Sequence, residues 1–307
     1  MTVNVKDIIT AATYNTLQSR VAQVLGTGDV GSDNGYGQSL SSSQVSATTV
    51  ITATQLDNLR TDINKAKVHQ TGSLSTLGDI AQKDLISADT ISGDTTKGFN
   101  DYDNAVGTIQ ADKFLCDDTQ ASVEAAISST RTTQWNGTIT HSFNVTFTSA
   151  NSRRHFFNSG GSIRFQAQLS NGSGSKDNDW ATMLSNMGTI SFAYNSTTAT
   201  GSGTSTAIGN YQLTTNLQTI FTKNGSSVYA ENAYVIKAKE LSSSQIEFRI
   251  EFQDNDIGEG VNPPGYIPID ENVLYISGTI TSSVTQRRAT GSYVSVPSPS
   301  YTNTATL

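Results

Sequence analysis

The stretch Thr138-Ile139-Thr140-His141-Ser142-Phe143-Asn144-Val145-Thr146-Phe147 alternates over its whole length. Its odd positions are Ile, His, Phe, Val and Phe; its even positions are Thr, Ser or Asn. A period of two is the mark of a strand with one buried and one wet face. The same rhythm recurs in Ser162–Leu169, where Ile163, Phe165, Ala167 and Leu169 alternate with Ser162, Arg164, Gln166 and Gln168. It recurs again where Ile246, Phe248, Ile250 and Phe252 alternate with Glu247, Arg249 and Glu251. Further strands are expected at 189–194, 211–213, 233–239 and 273–284, with 233–239 and 246–252 joined as a hairpin across 240–245. One helix interrupts them: Asp179 is placed to cap it, Trp180, Met183, Leu184 and Met187 give it an apolar face, and Gly188 stops it. Strands at this density with one short helix fit an antiparallel sandwich over 135–286.

Upstream the period changes. Ile9-Thr10-Ala11-Ala12-Thr13-Tyr14-Asn15-Thr16-Leu17 and Ile51-Thr52-Ala53-Thr54-Gln55-Leu56-Asp57-Asn58-Leu59 align with each other, each opening on Ile-Thr-Ala. Thr10 and Thr52 are placed as N-caps, and Thr52 with Gln55 has capping-box spacing. Ile9 with Tyr14, and Ile51 with Leu56, have the spacing of a hydrophobic staple. Leu17, Val21, Val24 and Leu25 then form one helical stripe; Leu56, Leu59, Ile63 and Ala66 form the other. Each stripe needs a cover, either the other helix or a neighbouring subunit. The glycine-rich connection 26–50 has neither a dinucleotide fingerprint nor a Gly-Lys-Ser/Thr phosphate loop, so it reads as a conformational loop. Short helices are expected at 103–113 and 121–127. The resulting fold class is α+β: a helical docking module at 1–72, a mixed linker at 73–134, the sandwich-like domain at 135–286 and an extended arm at 287–307.

Composition narrows the function. The chain is 35% hydrophobic and 15% charged, against roughly 45–50% and 25% in ordinary globular domains. Hydroxyls fill the gap, with 39 serines and 42 threonines among 307 residues. The net charge of -7 and the lack of a basic run leave nucleic acid without its main source of affinity. No apolar run approaches the roughly 20 residues of a membrane span. Cys116 has no partner for an intrachain disulfide and reads as a small buried hydrophobe, lacking a His or Lys neighbour in sequence to activate it.

The residues of catalysis do not assemble into a motif. His69, His141 and His155 show no metal-ligand spacing, and His141 falls on the inward register of its strand, as a hydrogen-bonded core histidine would. Asp254-Asn255-Asp256-Ile257-Gly258-Glu259 starts like a calcium loop but lacks the oxygen ligand at its fifth position and the glutamate at its twelfth. It reads as a solvated turn. No cofactor and no metal are expected.

Arg153-Arg154-His155-Phe156-Phe157-Asn158-Ser159-Gly160-Gly161-Ser162-Ile163-Arg164-Phe165, followed by Trp180-Ala181-Thr182-Met183-Leu184 and Gly188-Thr189-Ile190, resembles virion structural proteins of tailed phages, particularly the contractile-tailed phages of marine cyanobacteria. The Ile-Thr-Ala helices and the loop Gly35-Tyr36-Gly37-Gln38 are similar to the N-terminal region of the same group. The resemblance implies a non-enzymatic particle component of tail, neck or fibre, present in several copies, with copies of itself and other virion proteins as partners. It carries no catalytic residues. In the physical reading, Phe156, Phe157, Ile163 and Phe165 are core, Gly160-Gly161 makes a tight turn between two strands, and Arg154 and Arg164 pair with carboxylates or a neighbouring subunit. The start, Met1 to Asp7, lacks the features of a signal peptide. With no cystines, that fits assembly in the host cytoplasm and release by lysis. Two rivals compete: a module that binds host surface glycan through Tyr36, Trp135, Trp180 or Tyr266, and a glycan-cleaving depolymerase.

Overall fold

The computed structural model describes residues 9–29, 32–80, 98–256 and 275–307. The chain is α+β, with helices first and two antiparallel, sandwich-like sheets after them. It forms two compact units that interleave along the sequence. The helical unit takes Met1–Ser122, Asn151–Gly161 and Arg288–Pro297; the sheet unit takes Val123–Ala150, Ser162–Arg287 and Ser298–Leu307. The expected divisions run linearly along the chain, whereas each unit takes three separate segments.

In the helical unit, α1 (Ala11–Leu25) starts where the Thr10 hydroxyl accepts from the Thr13 N–H at 3.2 Å. Helix α2 (Ala53–Thr71) starts with a reciprocal box: Gln55 N–H to the Thr52 hydroxyl at 3.3 Å and Thr52 N–H to Gln55 Oε1 at 2.8 Å. It ends at Gly72, whose φ of 69° only glycine adopts cheaply. Helix α3 runs Phe99–Ala111, four residues earlier than its expected start, because the Asp101 carboxylate accepts the Gly98 N–H at 3.0 Å. Phe99, Tyr102, Val106 and Ile109 form its buried stripe. The three helices pack pairwise, and both Ile-Thr-Ala stripes are buried within the chain. A neighbouring subunit is therefore not what covers them.

The short helix α4 (Ala150–Asn158) corrects the strand expected before Gly160-Gly161. Gly160 (φ 77°) donates to Phe157 O at 3.2 Å and Gly161 to Phe156 O at 3.0 Å, the paired bonds of a Schellman helix end. A Cβ on Gly161 would meet Phe156 O at 2.3 Å. The glycines thus close a helix.

In the sheet unit, the five-stranded sheet has the order β1 (Ala121–Arg131), β10 (Thr279–Ala289), β3 (Ser162–Ser170), β4 (Ile190–Phe192), β5 (Thr197–Ala199). The six-stranded sheet runs β11 (Ser300–Ala305), β2 (Gly137–Thr146), β9 (Gln245–Asp254), β8 (Ala233–Ser242), β7 (Gln218–Asn224), β6 (Thr204–Ser205). Phe143 stands opposite Phe248 across β2 and β9. Their rings meet Phe165 of the facing sheet at 6.4 and 5.2 Å between centroids, and Phe192 lies 5.1 Å from Phe248. These inward aromatics join the two layers.

Four local expectations fail here. Residues 121–127 are strand rather than helix, because pairing with β10 overrides the alanines' helical preference. Tyr211 and Gln212 belong to a 3-10 turn, Asn210–Gln212, Leu213 follows it, and the strand lies later, at β7. Helix α5 (Ser175–Asn186) begins at Gly174, whose N–H the Asp177 carboxylate accepts at 3.0 Å, so Asp179 is not the cap. The C-terminal arm ends in β11, paired antiparallel with β2, and is part of the sheet. Val273 and Leu274 of the expected strand at 273–284 lie outside the described residues; β10 starts at Thr279.

Candidate functional site

The loop Gly35-Tyr36-Gly37-Gln38 and helix α4, both among the segments of the resemblance, meet in the helical unit. After α1 the chain reverses: Tyr36, Gly37 and Gln38 donate their N–H groups to Val24, Gly26 and Leu25 carbonyls at 2.9, 2.8 and 2.9 Å. These bonds satisfy the carbonyls that a helix end leaves open. The reversal needs left-handed residues, and Gly28, Gly35 and Gly37 supply them at φ of 61°, 91° and 77°.

Helix α4 holds the loop in that shape. Arg154 Nη2 and His155 Nε2 both donate to the Thr27 carbonyl, the second at 3.0 Å. Asn158 Nδ2 donates to the Gly35 carbonyl at 3.2 Å. The His155 ring lies so close to Gly37 that a Cβ there would sit 2.3 Å from Nδ1. Burial pushes the His155 pKa below 6.5, with Arg154 adding to the effect and the bond to Thr27 opposing it. Inside the loop, Tyr36 is 1% exposed, accepts from Gln70 Nε2 at 2.9 Å and packs edge-on against His69. Burial drives its phenol pKa well above the usual 10.0. Arg154, read as a partner for a carboxylate or a subunit, is turned onto backbone of its own chain. Phe156 and Phe157 are fully buried, edge to face at 5.0 Å. Arg164 is half-buried on β3 between the buried Ile163 and Phe165.

The rest of the loop is also tied down, by residues whose sequence context carries no signal. Asp62 is fully buried on α2, and its carboxylate accepts the N–H groups of Ser41 and Ser42, the Ser42 hydroxyl and Lys65 Nζ, all within 2.8–2.9 Å. Asn15 pairs with the Val45 backbone, giving and taking a bond of 2.8 Å each. Ile9, Ile51 and Leu56, the staple residues, line one notch of about 340 Å³ with Thr10 and Ala47–Val50. Thr10 and Thr52 cap, and Leu17, Val21, Leu59 and Ile63 are core. Cys116 departs from its sequence reading: it is only half-buried, and His69 Nδ1 stands 3.8 Å from its Sγ.

In the sheet unit, His141 is fully buried, with Nδ1 2.9 Å from Ser282 Oγ and Nε2 2.9 Å from Asn303 Oδ1. Since Asn303 Oδ1 only accepts, Nε2 carries the proton. Burial holds the ring pKa below 6.5 against that hydrogen bond. Asp254, at the start of the acidic turn, is buried where a solvated residue was expected. Lys176 Nζ sits 2.6 Å from Asp254 Oδ1 and 3.6 Å from Asp256 Oδ2, putting an ammonium where the calcium-loop start would put a cation. Residues 257–259 of that turn lie outside the described residues. Burial pushes the Asp254 carboxyl up to about 6, against the pull of Lys176.

The aromatics proposed for sugar stacking are interior: Tyr36, Trp135 and Trp180 are 1%, 4% and 0% exposed. Tyr266 lies outside the described residues. Among the described residues, no group of three or more His, Cys, Asp or Glu is placed to hold a metal, and no helix is long and apolar enough to cross a membrane. What the folded chain defines is a class of architecture, a helical unit with a clamped glycine loop and a two-sheet unit. No family model, curated protein or solved structure matches it.

Proposed function

We propose that this chain is a non-enzymatic structural protein of a tailed-phage virion, built in several copies into the tail, neck or fibre-attachment region. One observation carries the reading. Within the segments that resemble phage structural proteins, Asn158 of 153–165 donates to the Gly35 carbonyl of 35–38, and Arg154 and His155 donate to the Thr27 carbonyl at the head of the same loop. Those residues of the resemblance fix a loop's shape, as scaffold residues do. Its partners are other virion proteins and further copies of itself, and its place is the particle. Because both helical stripes are covered inside the chain, a neighbour meets other surface than theirs.

Size-exclusion chromatography with light scattering, run on the purified chain alone and mixed with dissociated particle components, tests the assembly half of this reading. A shift into a larger complex supports it. A chain that stays monomeric in every mixture contradicts it.

A further inference from the structure

Lys176 is the second residue of α5 and Asp254 the last of β9, and their side chains are 1% and 0% exposed. The surroundings are aromatic. Trp180 lies one helical turn after Lys176 on the same face, and Phe252 shares the sheet face of Asp254. Trp180 and Phe252 are 6.2 Å apart between centroids, with Trp135 at 5.1 Å from Trp180 and Tyr234 at 5.1 Å from Phe252. Burial in so dry a place penalises the charged forms, and a single proton passed from Nζ to the carboxylate would leave an uncharged pair. A neutral amine and a neutral acid in contact are the reactants of an amide. A second carboxyl is at hand, since Asp256 Oδ2 lies 3.6 Å from Nζ and its backbone carbonyl accepts from Nζ at 3.0 Å.

We propose that Lys176 and Asp254 condense into an intramolecular isopeptide bond, with Asp256 relaying the proton. The Nζ lone pair attacks Asp254 Cγ, and an Nζ proton passes to the Asp256 carboxylate. Asp256 returns that proton to the departing oxygen, the Cγ–O bond breaks, and one water leaves. No oxidant or co-reactant enters the balance. Three features favour the step: a fixed contact of 2.6 Å replaces a bimolecular encounter, the buried site excludes the water that would reverse it, and burial already raises the carboxyl pKa. The product is an uncharged covalent tie between α5 and β9, which suits a protein whose work is mechanical.

Intact-mass spectrometry of the denatured full chain, followed by peptide mapping, tests this. The expected wild-type mass is one water below that of the sequence, with a branched peptide joining Lys176 to Asp254. Lys176→Arg keeps the positive charge, is expected to fold, and should show its full sequence mass. Asp256→Asn should leave the chain largely unlinked. A wild-type chain at full mass overturns the proposal, as does a missing water traced to a succinimide within one peptide. An Asp256→Asn chain linked as fully as wild type overturns the relay.

Discussion

Gly37 is held by two requirements at once, a φ of 77° and the His155 ring against its Cα. Gly37→Ala should therefore cost more than the ordinary glycine penalty of about 0.5–1 kcal/mol. Because part of the cost is the clash with His155, His155→Ala should relieve it. Chemical denaturation of both single variants and the double variant checks this, and the two effects should be less than additive. His141 gives a pH signature. Its folded pKa is depressed below 6.5, so the unfolded chain binds the proton more tightly. Its contribution is complete above 6.5 and is lost as pH falls through the folded value. Wild type should lose stability on mild acidification, and His141→Gln should lose less; unfolding midpoints at neutral and mildly acidic pH compare them. At this scale the sequence was partly legible. The inward register of His141 followed from strict alternation, whereas Asp62 and Lys176 act through partners 20 and 80 residues away. No local pattern encodes such a partner.

Among the elements, those with a period and a start signal could be read directly. Thr10 and Thr52 are capping side chains before uninterrupted stripes, and α1 and α2 follow from them. Thr52→Ala should cost about 1 kcal/mol, read as a lowered denaturation midpoint. Strands β2, β3 and β9 alternate cleanly, while β7 hides because Ile220 and Phe221 are both buried beside an irregularity in its pairing with β8. Helix α4 was misread since Phe156-Phe157 before Gly-Gly looks like a strand entering a turn. Its helical nature shows only in the Schellman bonds and in what Arg154, His155 and Asn158 reach. Strand β11, Ser-Tyr-Thr-Asn-Thr-Ala, has no buried face of its own to announce it. It forms because β2 offers an open edge, and Asn303 and Tyr301 bond inward to His141 and Gln286. Ending the chain at Pro299 should uncover β2 and lower the unfolding temperature, whereas loss of a free tail would not change it.

For the molecule as a whole, the α+β class was legible because two periods occupy different parts of the chain. The interleaving of the two units was not, since Asn151–Gly161 and Arg288–Pro297 join the helical unit through contacts distant in sequence. Phe143 stands at the centre of the ring cluster linking the sheets, so Phe143→Ala should cost about 3–5 kcal/mol in denaturant titration. The central proposal is that the chain works as part of a phage particle. Under the proposed function, quantitative mass spectrometry of gradient-purified phage particles from cultures that produce the chain, with gold-labelled antibody to the chain, measures that place directly. The account predicts several copies per particle and label confined to the tail, neck or fibre base. Purified particles that lack the chain, while infected cells contain it free, would contradict it.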